Sequence, residues 1–164
     1  MSVPHAAPGF ERKLCPPSVL AERVAALPRP LVFTNGVFDL LHRGHVTYLS
    51  RARALGASLL VALNTDASVK RLGKGDDRPL NAREDRAAII AALTDVDLVT
   101  WFDTDTPLEL IQRVKPEVLV KGGDWKPEAI VGGREVLGWG GTVHSIPFEH
   151  ERSTTALLAK IRAR

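Results

Sequence analysis

The sequence lacks the features that define several large classes of protein. Cys15 is its one cysteine among 164 residues, so an internal disulfide framework is excluded. No apolar run reaches the ~18–20 residues that a membrane-spanning helix needs. The first residues include Pro4, Pro8 and charged residues 11–13, where a signal peptide would have an apolar core. We therefore expect neither a membrane protein nor a secreted one, and predict a cytoplasmic protein.

The sequence also lacks a strong excess of charge of either sign. It has 22 Lys and Arg against 19 Asp and Glu, a net charge of +3, and the basic residues are spread along the chain. This balance argues against a nucleic-acid partner. The histidines outside residues 42–45 show no metal-ligand spacing, so we expect no metal site built from side chains. The length suits one domain over 13–164, preceded by a loose segment at 1–12.

Apolar runs and helical stretches alternate along the chain. Strands are predicted at 31–35, 58–64, 97–102, 117–121 and 142–147. Helices are predicted in a short stretch from Pro17 and then at 44–55, 82–94, 107–114, 127–138 and 153–163. This alternation predicts an α/β fold, a Rossmann-like three-layer sandwich with a five-stranded parallel sheet.

The first predicted strand leads through a glycine-containing loop into a helix. Residues 31–33 are apolar and predict a buried strand that ends at Asn35, and a helical spacing of apolar residues begins after Gly44. A helix N-terminus offers free N–H groups and a positive dipole potential, which favour phosphate. Gly36 and Gly44 allow a backbone to approach an anion closely. The loop therefore has the composition of a polyphosphate site.

Two histidines in this loop, His42 and His45, add side-chain donors. A helix cap and a core histidine are the structural alternative, but two imidazoles around a glycine in this setting favour function. Asp39 either caps the turn or contacts a substrate phosphate. Phe38 is either a packing residue or, with Val37, part of the wall of a nucleotide site.

Three more polar positions stand where predicted strands end. Asn35, Asn64 and Lys121 each follow an apolar run, and in an open parallel sheet ligands collect at the carboxyl ends of the strands. We therefore expect these side chains to converge. Lys121 opens the sequence Lys-Gly-Gly-Asp-Trp, in which Gly123 and Asp124 belong either to a binding loop or to an ordinary strand exit.

Six cations fall within 17 residues of one another, between positions 70 and 86. They either clamp phosphates or form a solvated face, because nearby acidic residues largely balance them. Lys74, in a glycine-rich and potentially mobile turn, and Arg86 are the preferred phosphate ligands. Farther on, Ser153 and Thr154 open the last predicted helix, where a structural cap and a phosphate site are compatible.

These motifs together carry a resemblance to a known family. His-Arg-Gly-His at 42–45, Asn-Thr-Asp-Ala-Ser at 64–68, Arg-Pro-Leu-Asn at 78–81, the loop at 120–125 and Ser-Thr-Thr at 153–155 occur in this order. The chain thereby resembles the nucleotidylyltransferase superfamily with its H-x-G-H signature. Within it, the resemblance is to the cytidylyltransferase-like branch and its heptose 1-phosphate adenylyltransferases, and it runs from about residue 13 to 161.

The resemblance implies a reaction and a role for each motif. AMP would pass from ATP to D-glycero-β-D-manno-heptose 1-phosphate, with Mg²⁺ as cofactor and a homodimer as the assembly. His42, His45 and Lys74 would be catalytic and Asp39 and Arg86 would hold the substrate phosphate. The nucleotide would be bound by Asn35, Gly36, Val37, Phe38, Gly44, Lys121, Gly123, Asp124, Ser153 and Thr154.

Two other functions remain open on the residues alone. One is a cytidylyltransferase that acts on another small phosphorylated substrate. The other is a non-catalytic nucleotide sensor on the same fold, which would tolerate loss of the histidines, whereas both His42 and His45 are present.

Overall fold

The computed structural model describes residues 6–73, 75–149 and 154–163. Its five strands are Leu31–Gly36 (β1), Ser58–Asn64 (β2), Leu98–Phe102 (β3), Val118–Gly122 (β4) and Thr142–Ile146 (β5). The α-helices within these ranges are Leu20–Ala25 (α1), Arg43–Arg53 (α2), Asp66–Arg71 (α3), Arg83–Ala91 (α4), Leu108–Val114 (α5), Gly133–Gly138 (α6) and Thr154–Arg162 (α7). Short 3-10 helices lie at Gly9–Lys13, Pro17–Val19 and Pro127–Ala129.

The strands form one sheet in the order β3-β2-β1-β4-β5, and every neighbouring pair is parallel. The predicted α/β fold with a five-stranded parallel sheet is therefore confirmed. The chain moves outward in one direction from β1 to β3 and then returns to place β4 on the other side of β1. The strand order thus reverses between β1 and β4, where open sheets of this kind bind ligands.

Helices cover both faces of the sheet, and alternate strand residues face opposite cores. Leu31 and Phe33 join a cluster with residues of α1, α5 and α6, whereas Val32 joins a second cluster with residues of α2 and α4. This alternation is the two-residue period of a strand buried on both faces. The result is the predicted three-layer sandwich. None of the helices in the described part of the chain is both long and apolar enough to cross a membrane.

One predicted helix is divided in the structure, and one helix of the structure was not predicted. The stretch predicted at 127–138 is divided into a 3-10 turn and α6, because Gly132 between them has a left-handed backbone (φ 84°). Helix α3 was not predicted, since its six residues are too few to show a helical period and bury only Ser68 and Val69. Thr65 caps it by accepting a hydrogen bond from the Ser68 N–H at 3.2 Å.

The N-terminal segment expected to be loose, residues 1–12, overlaps the 3-10 helix Gly9–Lys13. Phe10 within it packs against the core on the α2 and α4 side, and Lys13 donates to the Leu93 carbonyl at 2.9 Å. Immediately afterwards, the Cys15 N–H donates to the Val99 carbonyl at 2.8 Å. Phe10 and Lys13 therefore attach this segment to the domain, while residues 1–5 lie outside the described residues.

Candidate active site

Two cavities adjoin where the strand order reverses. The larger, about 320 Å³, and the smaller, about 150 Å³, share Asn35, Gly36 and Val37 from the end of β1 and Lys121 from the end of β4. Asn64, at the end of β2, joins the wall of the larger cavity. The expected convergence of Asn35, Asn64 and Lys121 is therefore confirmed. Two compartments with a common wall can hold two reactants side by side.

The two histidines cap the N-terminus of α2 reciprocally. The Gly44 N–H donates to His42 Nδ1 at 3.1 Å, and the His42 N–H donates to His45 Nδ1 at 3.4 Å. The two rings stack with centroids 3.9 Å apart. Because each Nδ1 accepts a hydrogen bond, a neutral ring must carry its proton on Nε2. The cap thereby sets both imidazoles as Nε2–H donors.

His45 lines the smaller cavity as a neutral group. Burial, and next the neighbouring His42, lower the pKa of His45 from 6.5 to about 4. Its ring meets the edge of Phe38 with centroids 5.3 Å apart. A neutral donor fixed at the N-terminus of a helix can stabilise charge that develops on a phosphate without bringing a proton that titrates near neutrality.

Phe38 supports His45 and occupies a strained backbone conformation. Its φ is 50°, in the left-handed region that non-glycine residues rarely adopt, and its side chain is buried. The ring lies over Gly36, where an added Cβ would come within 2.8 Å of Phe38 Cε2. Gly36 is thus required for the approach of this ring, a reason that the sequence interpretation did not include.

Tyr48, one helical turn after His45, is a site residue that sequence reasoning missed. Its hydroxyl donates to the Val120 carbonyl at 3.3 Å and also hydrogen bonds to Thr34 Oγ1, so it joins β1 to β4 beneath the smaller cavity. Burial raises the pKa of Tyr48, which keeps the phenol protonated. Its position three residues after His45, on the same face of the helix, could have indicated from the sequence that Tyr48 belongs to the site.

The conformation of the turn after β4 is fixed by a glycine with positive φ and by hydrogen bonds to a side chain of β5. Gly123 has φ 115°, and an added Cβ would lie 2.8 Å from Trp125 Nε1. The Ser145 hydroxyl, also missed from the sequence, donates to the Gly123 carbonyl at 2.5 Å and accepts from the Trp125 N–H at 2.9 Å. Lys121 and Trp125 reach the larger cavity, whereas Gly123 and the exposed Asp124 form no part of the two cavity walls.

Arginines of the basic segment make ionic contacts within the protein. Arg71 pairs with Asp105 at 2.9 Å, and Arg78 pairs with Asp39 at 2.9 Å. Arg83 lies 4.0 Å above the Trp101 ring. The structure therefore gives these three guanidinium groups partners outside the basic segment, in place of the solvated face balanced by nearby acidic residues that the structural alternative describes.

Arg86, a preferred phosphate ligand, is fully buried and does not line either cavity. It donates to Asn81 O at 3.0 Å, to Val37 O at 2.8 Å, to Asn64 O at 2.9 Å and to Asp66 Oδ1 at 2.6 Å. A guanidinium surrounded in this way fixes the ends of β1 and β2 against α3 and the segment before α4. Its place in the structure is that of a positioning residue.

Asp39, the other expected phosphate ligand, is also buried and absent from both cavity walls. Its carboxylate accepts from the N–H groups of Leu80 and Asn81, each at 2.9 Å, and from Arg78. Burial alone would raise the pKa of Asp39, but these donors outweigh it and hold the pKa below the ordinary value. Asp39 thus anchors the segment 78–81 to the site loop, and a carboxylate would repel a phosphate.

Three expected residues cannot be placed fully. Lys74 and Ser153 lie outside the described residues, and Thr154 begins α7 without a described side chain. Among the residues that are described, no three His, Cys, Asp or Glu side chains gather as metal ligands.

Comparisons with known proteins agree with this geometry. The chain is 60% identical over 155 residues to a D-beta-D-heptose 1-phosphate adenylyltransferase of Bordetella bronchiseptica, covering 93% of this chain and 96% of that protein. It is 54% identical over 133 residues to the bifunctional protein HldE of Magnetococcus marinus, covering 81% of this chain but 27% of that protein.

Solved structures extend the comparison to the fold. A lipopolysaccharide core biosynthesis protein from Thermoplasma volcanium superimposes with a TM-score of 0.60 at 29% identity, over 74% of this chain and 98% of that one. A pantoate-beta-alanine ligase from Francisella tularensis has a TM-score of 0.61 at 14% identity, over 87% of this chain and 68% of that one, which shows the fold alone. The family profile described as cytidylyltransferase-like matches residues 33–157. The chain belongs to this cytidylyltransferase-like family of nucleotidyltransferases.

Proposed function

We propose that this protein transfers AMP from ATP to D-glycero-β-D-manno-heptose 1-phosphate, giving ADP-heptose and pyrophosphate for lipopolysaccharide core synthesis. The observation that carries the proposal is the pair of cavities that share the ends of β1 and β4, with neutral His45 in the wall of the smaller one. The name of the Bordetella relative supports the choice of substrate, and that of the Thermoplasma protein supports a role in lipopolysaccharide core synthesis.

The contents of the cavities support one assignment of the two substrates. The smaller cavity has His45 and lies at the N-terminus of α2, so we place the triphosphate there. The larger has Asn35, Asn64 and Thr106 beside the exposed ring of Trp125, a mixture of hydrogen-bonding and apolar groups that suits a sugar. Lys121 borders both and would lie between the two phosphates.

In this arrangement a phosphate oxygen of the sugar phosphate attacks the α-phosphorus of ATP. A bond forms between them while the bond from the α-phosphorus to the bridging oxygen breaks, and pyrophosphate leaves with that electron pair. A phosphate monoester loses its second proton at about pH 6, so the nucleophile is already ionised and needs no general base. The anomeric C–O bond is not broken, and the sugar keeps its configuration.

The protein's contribution is to orient two anions and to stabilise charge on the α-phosphate. His45 lines the smaller cavity and would donate its Nε2–H to a phosphate oxygen. His42 lines neither cavity, and its reciprocal cap with His45 would hold that ring in place before ATP binds. Arg86 and Asp39 act through the backbone, because they fix Val37 and the segment 78–81 around the site. The resemblance supports a catalytic role for Lys74 as well.

We further propose a Mg²⁺-bound nucleotide substrate, a cytoplasmic location and a homodimeric assembly. ATP enters as its Mg²⁺ complex, in which the ion shields the triphosphate charge. Both substrates are intracellular phosphorylated metabolites, which supports a cytoplasmic location. The family resemblance supports a homodimer. Ser153 and Thr154 would offer the N-terminus of α7 to the β- and γ-phosphates.

A substrate matrix tests the proposal. Purified protein is supplied with Mg²⁺, either ATP or CTP, and a panel of sugar 1-phosphates that includes both anomers of the heptose. Pyrophosphate release and the nucleotide-sugar product are then measured. We expect ADP-heptose with the β-anomer and ATP, at a kcat/KM at least tenfold above that with CTP. Equal use of CTP, or turnover only with a different phosphorylated substrate, would reject the proposal.

A further inference from the structure

A half-exposed aromatic side chain, Phe148, forms part of the smaller cavity without a role in the chemistry above. It follows β5 and lies beside His45, Tyr48 and Gly122 in the cavity wall. Its ring centroid is 6.3 Å from that of His45 and 5.8 Å from that of Tyr48. Nevertheless, 45% of the residue remains exposed. Burial in the core therefore does not explain the position of this ring.

The position of the Phe148 ring is fixed by a close contact with Gly122 and by an ion pair of the next residue. Gly122 lies under its tip, where an added Cβ would be 2.6 Å from Phe148 Cζ. The next residue, Glu149, forms an ion pair with Arg51 of α2 at 2.6 Å, which ties the segment after β5 to the helix that begins at the histidines. The phenyl group is thus held at a fixed distance from the phosphate-binding residues while part of its surface faces the cavity.

We propose that Phe148 is the stacking platform for the nucleobase and a determinant of the preference for a purine. This inference rests on the proposed function, because it places the triphosphate beside His45. An aromatic ring that is supported on one side and open on the other stacks with flat heterocycles. The larger ring system of adenine gains more contact area on a phenyl group than cytosine does.

Trp125 provides an internal comparison on the other side of the same glycine pair. Its ring lies on Gly123, its Nε1–H donates to the Gly122 carbonyl at 3.1 Å, and it is 49% exposed. It lines the larger cavity instead of the smaller one. If the two cavities hold different substrates, the two aromatic rings serve different substrates.

Equilibrium binding to two probes tests the platform. Calorimetry measures the affinity of wild type and Phe148→Ala for Mg²⁺-ATP and for Mg²⁺-tripolyphosphate, which has the phosphates but no base. We expect Phe148→Ala to weaken ATP binding about tenfold, the usual cost of removing one stacked ring. Tripolyphosphate binding should stay within about twofold. Phe148→Tyr should keep ATP affinity, whereas Phe148→Leu should lose most of it.

Two further measurements are the ratio of ATP to CTP affinity and the KM for the sugar phosphate. In Phe148→Ala the ratio of ATP to CTP affinity should fall, and Trp125→Ala should instead raise the KM for the sugar phosphate. Equal weakening of both probes would show that Phe148 only supports His45 and would overturn the inference, as would unchanged ATP affinity.

If ATP binding depends on Phe148 but no ADP-heptose forms, the proposed function fails and the platform stands. If ADP-heptose forms without that dependence, the proposed function stands and the platform fails.

Discussion

The loop at 34–45 and the basic segment at 70–86 both have the composition of a phosphate site, but the structure uses them differently. In the loop, two imidazoles cap a helix and His45 lines a cavity as a neutral group. In the basic segment, Arg71, Arg78 and Arg86 form ion pairs with carboxylates of the protein. Neutral His45 and the cation Lys121 therefore line the cavities, while these three arginines are paired within the protein.

The difference has a physical cause. A guanidinium has five donors and retains its charge, so once buried it must be surrounded by acceptors, and the backbone carbonyls at strand ends supply them. An imidazole has one acceptor and one donor when neutral, and the helix cap uses only the acceptor. The cap thus leaves the Nε2–H of His45 to point at a ligand, whereas Arg86 already has four acceptors.

Arg86 should contribute more to stability than the other arginines of the basic segment. Arg86→Met keeps the side-chain length but removes every donor, which leaves the carbonyls of Val37, Asn64 and Asn81 without a buried partner. We expect the free energy of unfolding to fall by about 3–5 kcal/mol. Denaturant unfolding measures it, with Arg71→Met as the exposed control, expected to cost less than about 1 kcal/mol. Equal losses in the two variants would contradict a framework role for Arg86.

His45 should show the opposite pattern, a large loss of activity with little loss of stability. We expect His45→Ala to lower kcat by about 10²–10³, the usual cost of removing one donor to transition-state charge. His144→Ala is the matched control, because His144 lies on β5 and hydrogen bonds to Thr142 away from the cavities. Initial rates of pyrophosphate release, with circular dichroism as a check of folding, measure both. A kcat of His45→Ala within threefold of wild type would contradict a catalytic role for His45.

Asp39→Asn tests whether the carboxylate anchors the frame. The amide keeps the shape but loses the charge that Arg78 and two backbone N–H groups require. We expect a loss of about 1–3 kcal/mol in unfolding free energy. Asp76→Asn in the exposed turn is the control, expected to change stability by less than about 0.5 kcal/mol. A stability of Asp39→Asn equal to that of the control would make Asp39 a candidate for ligand binding again.

The smallest effect expected is a pH dependence of stability that comes from His45. Its pKa is lowered from 6.5 to about 4 on folding, so the unfolded chain binds more protons between these values. The stability associated with His45 is therefore present above pH 6.5 and is lost as the pH falls toward 4. We expect the free energy of unfolding to fall by about 1 kcal/mol over this range, since the ring is only partly buried. Measuring the free energy of unfolding of wild type and of His45→Gln at pH 7 and at pH 5 isolates this contribution. If the free energy changed equally with pH in both proteins, His45 would make no such contribution.

Much of the fold was predictable because each strand is an apolar run bounded by turn residues. The predicted strand at 58–64 coincides with β2, and the polar residues that end β1, β2 and β4 indicated where the site would form. Helix α3 could not be recognised from periodicity, although Thr65 followed by Asp66 and, later, Lys70 and Arg71 is a cap and dipole pattern that a search for helix ends would have found.

The site was less predictable, because a sequence does not show which partner a charged side chain will choose. Arg86 and Asp39 stood among plausible ligands, but most of their hydrogen-bond partners are backbone groups, which a sequence pattern does not reveal. Phe148 and Ser145 belong to the site only because β5 lies beside β4 in the sheet. Such contacts depend on the tertiary fold.

In this structure the loop before α2 presents His45 as a neutral Nε2–H donor. Nitrogen-15 NMR of the histidine side chains over pH 3.5–8 measures the tautomer and the pKa of His45 directly, with His144 as a second imidazole in the same spectra. We predict the Nε2–H tautomer throughout the neutral range and a pKa of about 4. A His45 pKa near 6.5, or a ring protonated on Nδ1, would contradict the account.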